Sequence, residues 1–324
     1  MRTAVLLLLT LLTGVAWAAE RRLVTLSDPQ GDDVGNGALL YPAGTEFRRG
    51  DLDLRRLEVS RDDTGFWFVA TFTNPIREKW WAPPDIGDLS PSREKRVLPF
   101  NFNLDIYVDT DHVPGSGQMF TLPGRKVRID PRFAWERAVI LTPQPRTARA
   151  QLLATLKKNL PGRPKGEAEA NIDGTMFFAT RIHIRENAIS FFVPAEFFAP
   201  SDGSDWAITA FVTAASLTMG DDNLGVMQVE KEPSTSALGF SSQNPPPPII
   251  DVLLPSPDLQ FRLLASTEPL TGVFWGPTRS NQADVEAYLR SFKERLNVLQ
   301  RLLDQGLIDA VDFKAQRMKI LDEL

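Results

Sequence analysis

The 324-residue chain is 43% hydrophobic and 24% charged, an ordinary globular balance with enough apolar material for one large or two ordinary domains. Its formal charge of −5, from 36 basic and 41 acidic side chains, gives no electrostatic reason to expect nucleic acid or an anionic membrane as partner. Cysteine is absent and histidine occurs only at His112 and His183, which excludes disulfides, thiolate metal sites, cysteine nucleophiles and histidine-rich metal centres.

Residues 1–18 have the pattern of a secretory signal. Arg2 supplies the positive start, Ala4 to Leu12 the apolar run, and Ala16-Trp17-Ala18 a small-x-small cleavage site after Ala18. No later segment approaches twenty uninterrupted apolar residues, so no membrane span is expected after cleavage. The mature protein is expected to be exported, to the periplasm or the medium.

The segment Asp28-Pro29-Gln30-Gly31-Asp32-Asp33-Val34-Gly35-Asn36-Gly37 follows. Three carboxylates and three glycines in ten residues are too polar for a core and too glycine-rich for a helix. They predict a turn-forming loop whose oxygens can converge on a hard cation, with Asp53 contributing from the next strand. The alternative is a solvated acidic turn. The spacing is not that of an EF-hand, which needs a bidentate acid at its twelfth position. A second acidic pair, Asp221-Asp222, reads as a plain turn.

From Arg22 to about Ser266 the pattern is β. Leu54 to Val59 alternates, Asp62-Asp63-Thr64-Gly65 turns, and Phe66 to Phe72 alternates again, which predicts a hairpin. Further strands are expected at Asn101 to Val108, Lys126 to Ile129, Arg137 to Leu141, Thr175 to Ile184, Ala188 to Val193 and Trp206 to Ala214. A short helix is expected around Ala150 to Lys157, and Lys165 to Glu169 reads as a surface loop. Many short strands with Pro, Gly and Asp turns predict a mainly β protein, an antiparallel β-sandwich over residues 20–266. Pro245 to Pro248 reads as a stiff loop inside it, because the apolar run Ile249 to Leu254 beyond them suits another strand.

Residues 267–281, with Pro269, Gly272, Gly276 and Pro277, read as a linker. Beyond it, Val285, Leu289, Phe292, Leu296, Leu299 and Leu303 recur at helical spacing, Gly306 suits a helix end, and Asp309 suits an N-cap for a second helix through Leu324. Residues 282–324 are thus expected to form a two-helix unit. It is too small to bury much apolar surface alone, so docking or self-association is expected.

Several blocks occur in a collinear order: the acidic loop with Phe47, Gly50, Asp53-Leu54 and Glu58-Val59; Asp105-Ile106-Tyr107-Val108-Asp109; Leu122-Pro123-Gly124-Arg125; Ala134-Trp135-Glu136-Arg137-Ala138; the Gly239 region; and Ile250-Asp251-Val252-Leu253. Over Arg22 to Ser266 this order resembles the glucodextranase C-terminal-like family of binding modules. The resemblance implies a DOMON-like or jelly-roll sandwich akin to family nine carbohydrate-binding modules, non-catalytic, binding glycan or cell-surface polysaccharide, with calcium in related sandwiches. Leu296 to Leu324, with Leu302-Leu303-Asp304-Gln305-Gly306-Leu307-Ile308 and Phe313-Lys314, resembles a SHOCT domain, which implies oligomerisation.

Calcium candidates are therefore Asp28, Asp32, Asp33 and Asp53. For sugar contact, the adjacent Trp80 and Trp81 sit in a loop of charges and prolines, and in extended chain neighbours cannot both face inward. Trp67, Trp135 and Trp206 lie in strand-like apolar runs and are expected in the core. A glycosidase needs two carboxylates across a cleft, and no pair is marked by its context. There is also no G-x-S-x-G elbow or phosphate-binding glycine loop. Heme through Met119 and His183 is the remaining cofactor alternative. The reading is a non-enzymatic carbohydrate-binding module; the alternative is an envelope assembly protein that binds a protein partner and oligomerises through residues 282–324.

Overall fold

The computed structural model describes residues 21–77 except 45, residues 98–275 except 160–163, 165, 217 and 267, and beyond these residues 299–301, 303, 313, 314 and 317. The segment expected to be an export signal, Trp80, Trp81 and most of residues 282–324 lie outside the described residues. The described positions from 299 to 317 are helical.

In chain order the strands are β1 (Arg21–Ser27), β2 (Leu39–Leu40), β3 (Leu54–Arg61), β4 (Gly65–Phe72), β5 (Phe102–Asp109) and β6 (Arg137–Leu141). Two helices follow, α1 (Pro145–Asn159) and α2 (Glu167–Thr175), then β7 (Met176–Phe178), β8 (Ile182–Arg185), β9 (Ala188–Pro194) and the short α3 (Ala195–Phe198). The last group is β10 (Trp206–Ala214), β11 (Gln228–Val229), β12 (Ala237–Phe240), β13 (Asp251–Val252), α4 (Pro257–Ala265) and β14 (Val273–Trp275).

Two sheets face each other. One has the order β1-β3-β4-β9-β8; the other runs β13-β10-β5-β6-β7, with β14 also paired to β10. Strands β11, β12 and β2 form a small third sheet. Pairing is mostly antiparallel; β6–β7 and β11–β12 are parallel.

Alternation explains the first sheet. Phe66, Phe68, Ala70 and Phe72 of β4 and Ile189, Phe191 and Val193 of β9 are fully buried and point into the space between the sheets. Their neighbours Trp67, Val69, Thr71, Ser190 and Phe192 stand half-buried on the opposite face. The second sheet is buried on both faces, so β5 and β10 are buried at every residue. Its inner residues, including Phe102, Leu104, Trp206 and Ile208, join the inter-sheet core. Its outer residues Tyr107, Ala138, Phe211 and Val252 join a second core with Leu122, Ile129, Leu152, Ile172 and Leu263. Each large apolar side chain so buried contributes about 1.5–3 kcal/mol. Among the described residues the protein thus has three layers, and the outer face of the first sheet is the open one.

Several local expectations change. The stretch Thr175 to Ile184 is two strands, since β7 pairs with β6 in the second sheet while β8 pairs with β9 in the first. Residues Lys126 to Ile129 form only isolated bridges, Arg128 to Phe120 and Ile129 to Leu270. The predicted loop at Lys165 to Glu169 runs into α2, whose first turn carries Glu167 and Glu169, where acids favour the helix dipole. The segment read as a linker begins inside the fold: Leu270 is fully buried, and β14 pairs with β10 beside β13. Trp135 and Trp206 are core residues at 1% and 0% exposure, but Trp67 is on the open face.

Candidate functional site

Three distant segments meet at one edge of the sandwich, and each brings carboxylates. Asp28 follows β1, Asp32 and Asp33 lie in the glycine-rich loop, Asp53 precedes β3, and Asp251 opens β13. All five are buried, with exposures between 0% and 4%.

Backbone geometry holds them there. Gly35, at φ +58°, lies so close to the last segment that a Cβ would sit 2.7 Å from the Ile249 carbonyl oxygen, and its N–H donates to the Ile250 carbonyl over 2.8 Å. Only glycine fits that approach. Gln260 of α4 clamps the same crossing: its Nε2 donates to the carbonyls of Asp32 (2.6 Å) and Gly35 (3.2 Å), and its Oε1 accepts from Val252 N–H (2.7 Å).

Each anchored carboxylate uses one oxygen and leaves one unused. Asp28 Oδ1 accepts from Leu254 N–H (2.7 Å), Asp251 Oδ2 from Leu54 N–H (2.6 Å), and Asp53 Oδ2 from Gly31 N–H (2.8 Å) and Thr73 Oγ1 (2.9 Å). Asp28 Oδ2, Asp53 Oδ1, Asp251 Oδ1 and both oxygens of Asp32 are buried without a hydrogen-bond donor. Asp28, Asp32 and Asp251 each present an oxygen within 4.8 Å of the others. Asp33 is committed elsewhere, accepting from Tyr41 Oη and Gly50 N–H and lying 3.0 Å from Arg49 Nη2.

Unpaired buried carboxylates are expensive, and they resist ionising. Burial pushes Asp28 up to about 9, with Asp32 and Asp53 adding repulsion against the Leu254 hydrogen bond. Burial likewise raises Asp32 to about 6, and lifts Asp53 and Asp251 above the usual carboxylate range. An oxygen-only donor set of this kind, without nitrogen or sulfur, suits a hard cation. The residues therefore fit calcium, with Asp28, Asp32 and Asp251 at the centre and Asp53 beside them. Of the four residues expected from the sequence, the fold gathers Asp28 and Asp32, places Asp53 adjacent and turns Asp33 to the loop. Asp251 was not expected. The signal for it was a lone carboxylate inside the apolar run Ile249 to Leu254.

A second acidic group, Asp109, Asp111 and Glu136, is occupied by its own loop. Asp109 Oδ1 accepts from Asp111 and His112 N–H, and Glu136 Oε2 from Thr110 N–H. Asp221 ties α1 to its turn through Gln151, Thr155 and Lys158. The heme candidates lie in different layers, His183 on the open sheet and Met119 in the loop over the other.

Next to the cation site, Asp28 also lines a cleft of about 420 Å³ with Gln30, Arg55, Arg56, Thr71 and Asn187. The cleft sits at one end of the open sheet face, where Ser27, Arg56 and Thr71 form a row across β1, β3 and β4. Farther along that face Trp67 packs against Phe192 directly across the strand pair, ring centroids 5.1 Å apart. Trp67 Nε1 donates to Asp62 Oδ2 over 3.2 Å, which fixes the indole. Among the described residues, no helix is long and apolar enough to cross a membrane.

A search of the curated proteins finds no match. A family model matches residues 23–273, a span that runs from β1 through the carboxylate-bearing loop and β13 to β14. The chain belongs to the family described as the C-terminal, SLH-like binding module of glucodextranase.

Proposed function

We propose that the protein is an exported, non-catalytic polysaccharide-binding module whose fold is closed by a structural calcium ion. The observation that supports this best is the open face of the five-stranded sheet. It carries an aromatic pair, Trp67 and Phe192, and a polar cleft in one surface. Sugar rings pack on flat aromatic faces while their hydroxyls need convergent polar groups, and this face supplies both. Calcium would be held by Asp28, Asp32 and Asp251, with Asp53 beside them. Its charge offsets the repulsion of carboxylates brought together from three chain segments, and so it locks β1, β3 and β13 in place.

Affinity electrophoresis of the full chain through gels containing neutral or acidic polysaccharides tests the binding function. Retardation on at least one of them is the expected result. Migration unchanged on all of them overturns it and favours a protein partner. Residues 282–324 are proposed to self-associate; a molecular mass unchanged by their deletion removes that role.

A further inference from the structure

The open face is not electrically neutral. Among the described residues β8 is an edge strand, and on the outward side stand Arg181 just before it, opposite Phe192, then His183 and Arg185 in it, opposite Ser190 and Ala188. All three are exposed. Neither guanidinium of this edge has a carboxylate partner within ion-pair distance among the described residues.

Arg181 is held in a definite place. Its guanidinium carbon lies 5.2 Å from the Trp67 ring centroid and 5.0 Å from that of Phe192. A guanidinium stacked on rings uses its face and leaves its in-plane N–H fork for an acceptor. Across the sheet, Arg22 and Arg56 share one carboxylate, Glu58, at 3.6 and 3.7 Å. Arg22, Arg56, Arg181 and Arg185 thus stand on this face with Glu58 and Asp62, and Arg55 and Asp28 join Arg56 in the cleft. This occurs in a chain whose formal charge is −5. A basic face on an acidic protein is a local feature, and it is placed around the aromatic pair and the cleft.

We infer that this face binds an acidic polysaccharide, one whose sugars carry carboxylate or phosphate groups. The sugar ring packs on the Trp67 indole beside the stacked Arg181, Arg181 and Arg185 pair with the acidic groups, and Arg56 meets the chain at the cleft. Arg181 and Arg185 are four residues apart on one edge, about 13 Å in extended chain. That separation suits a repeating charge on a polymer better than one small anion. The inference rests on the polysaccharide reading and narrows it.

Calorimetric titration of the full chain with polygalacturonate, a phosphomannan and neutral dextran tests it, with the Arg181→Gln/Arg185→Gln double variant and Trp67→Ala. At least one acidic polymer is expected to bind about tenfold or more tighter than dextran. That preference is expected to collapse in the double variant and at high salt, and Trp67→Ala should weaken all glycan binding. Whichever polymer wins identifies carboxylate or phosphate as the recognised group. Arg149→Gln, on α1 and paired with Asp173, serves as the control and should change nothing. Thermal unfolding of each variant separates a lost contact from a lost fold. Equal binding of dextran and the acidic polymers, unaffected in the double variant, overturns this inference and leaves the polysaccharide reading standing. Absence of binding to every polysaccharide overturns both. Arginine-dependent binding of duplex DNA or phosphatidylserine vesicles in place of the polysaccharides also overturns it.

Discussion

Arg125 and Asp105 meet inside the protein in a two-pronged ion pair, Nε to Oδ2 at 2.7 Å and Nη2 to Oδ1 at 3.1 Å, with both side chains 1% exposed. Arg125 Nη1 also donates to the carbonyls of Pro123 and Leu224, and Tyr107 Oη donates to Asp105 Oδ2 while accepting from Leu122 N–H. The pair therefore pins the long loop after β5 onto the outer face of the second sheet. Removing one partner strands the other as an uncompensated buried charge. Arg125→Met or Asp105→Leu alone should each cost about 3–5 kcal/mol in urea unfolding. Replacing both together should cost less than the sum of the two, because no charge is then left unpaired.

The carboxylate cluster predicts an unusual pH dependence. A carboxylate whose folded-state value is raised takes up a proton on folding, so its contribution falls as pH rises. The cation-free protein should lose stability from about pH 4, where unfolded aspartates ionise. The loss continues through about 6, where Asp32 ionises in the fold, toward about 9, where Asp28 does. Calcium binds the ionised forms, so its stabilisation should run the other way and grow with pH. At a free concentration of ~100 Kd the ion adds about 2.7 kcal/mol. The increase in Tm over a chelator-treated control is expected to be larger at about pH 8 than at about pH 5, and absent in Asp32→Asn. A Tm indifferent to calcium at both pH values would falsify the cation site.

How much of this was legible in the sequence depended on whether the cause was local. The alternation Phe66, Phe68, Ala70, Phe72 is local, and it marks the hairpin and its buried face directly. Trp67 sits between two core phenylalanines, and a run of aromatics on both faces conceals which face is open; only the layer count shows it. The break between Phe178 and Ile182 is three residues long, too short to announce that the chain changes sheets. Asp28, Asp32 and Asp53 declare themselves by composition near the start of the chain. Asp251 reaches them from a strand some two hundred residues later, and nothing beside it in sequence says which segment it will face.

Gly35 offers a test of that long-range crossing. In Gly35→Ala the new Cβ would lie 2.7 Å from the Ile249 carbonyl, at a backbone φ of +58°. Backbone strain alone costs about 1–2 kcal/mol, and the clash adds to it. Gly31 shares a positive φ of +87° but has open space around it. Gly31→Ala should therefore show only the backbone part. The larger loss for Gly35→Ala in urea unfolding should be accompanied by weaker calcium stabilisation, because the segments carrying Asp32 and Asp251 are pushed apart.

The two tryptophans of the first sheet's neighbourhood should separate stability from binding. Trp206 is fully buried, packs against Phe66 and Phe198 at 5.1 and 4.4 Å between centroids, and donates from Nε1 to Ser201 Oγ over 2.7 Å. Truncating it to alanine opens a cavity in the inter-sheet core and removes the shorter of the two hydrogen bonds to that hydroxyl, a cost of about 3–5 kcal/mol. Trp67 belongs to no core cluster, and its main contacts are Phe192, Arg181 and Asp62 on the open face. Trp67→Ala should cost well under half as much in unfolding free energy. Its larger effect should appear in polysaccharide binding, since the platform and the arginine resting on it are both lost. A Trp67→Ala protein that unfolds as easily as Trp206→Ala would mean that the indole is part of the core, and the open face would then have no exposed aromatic anchor.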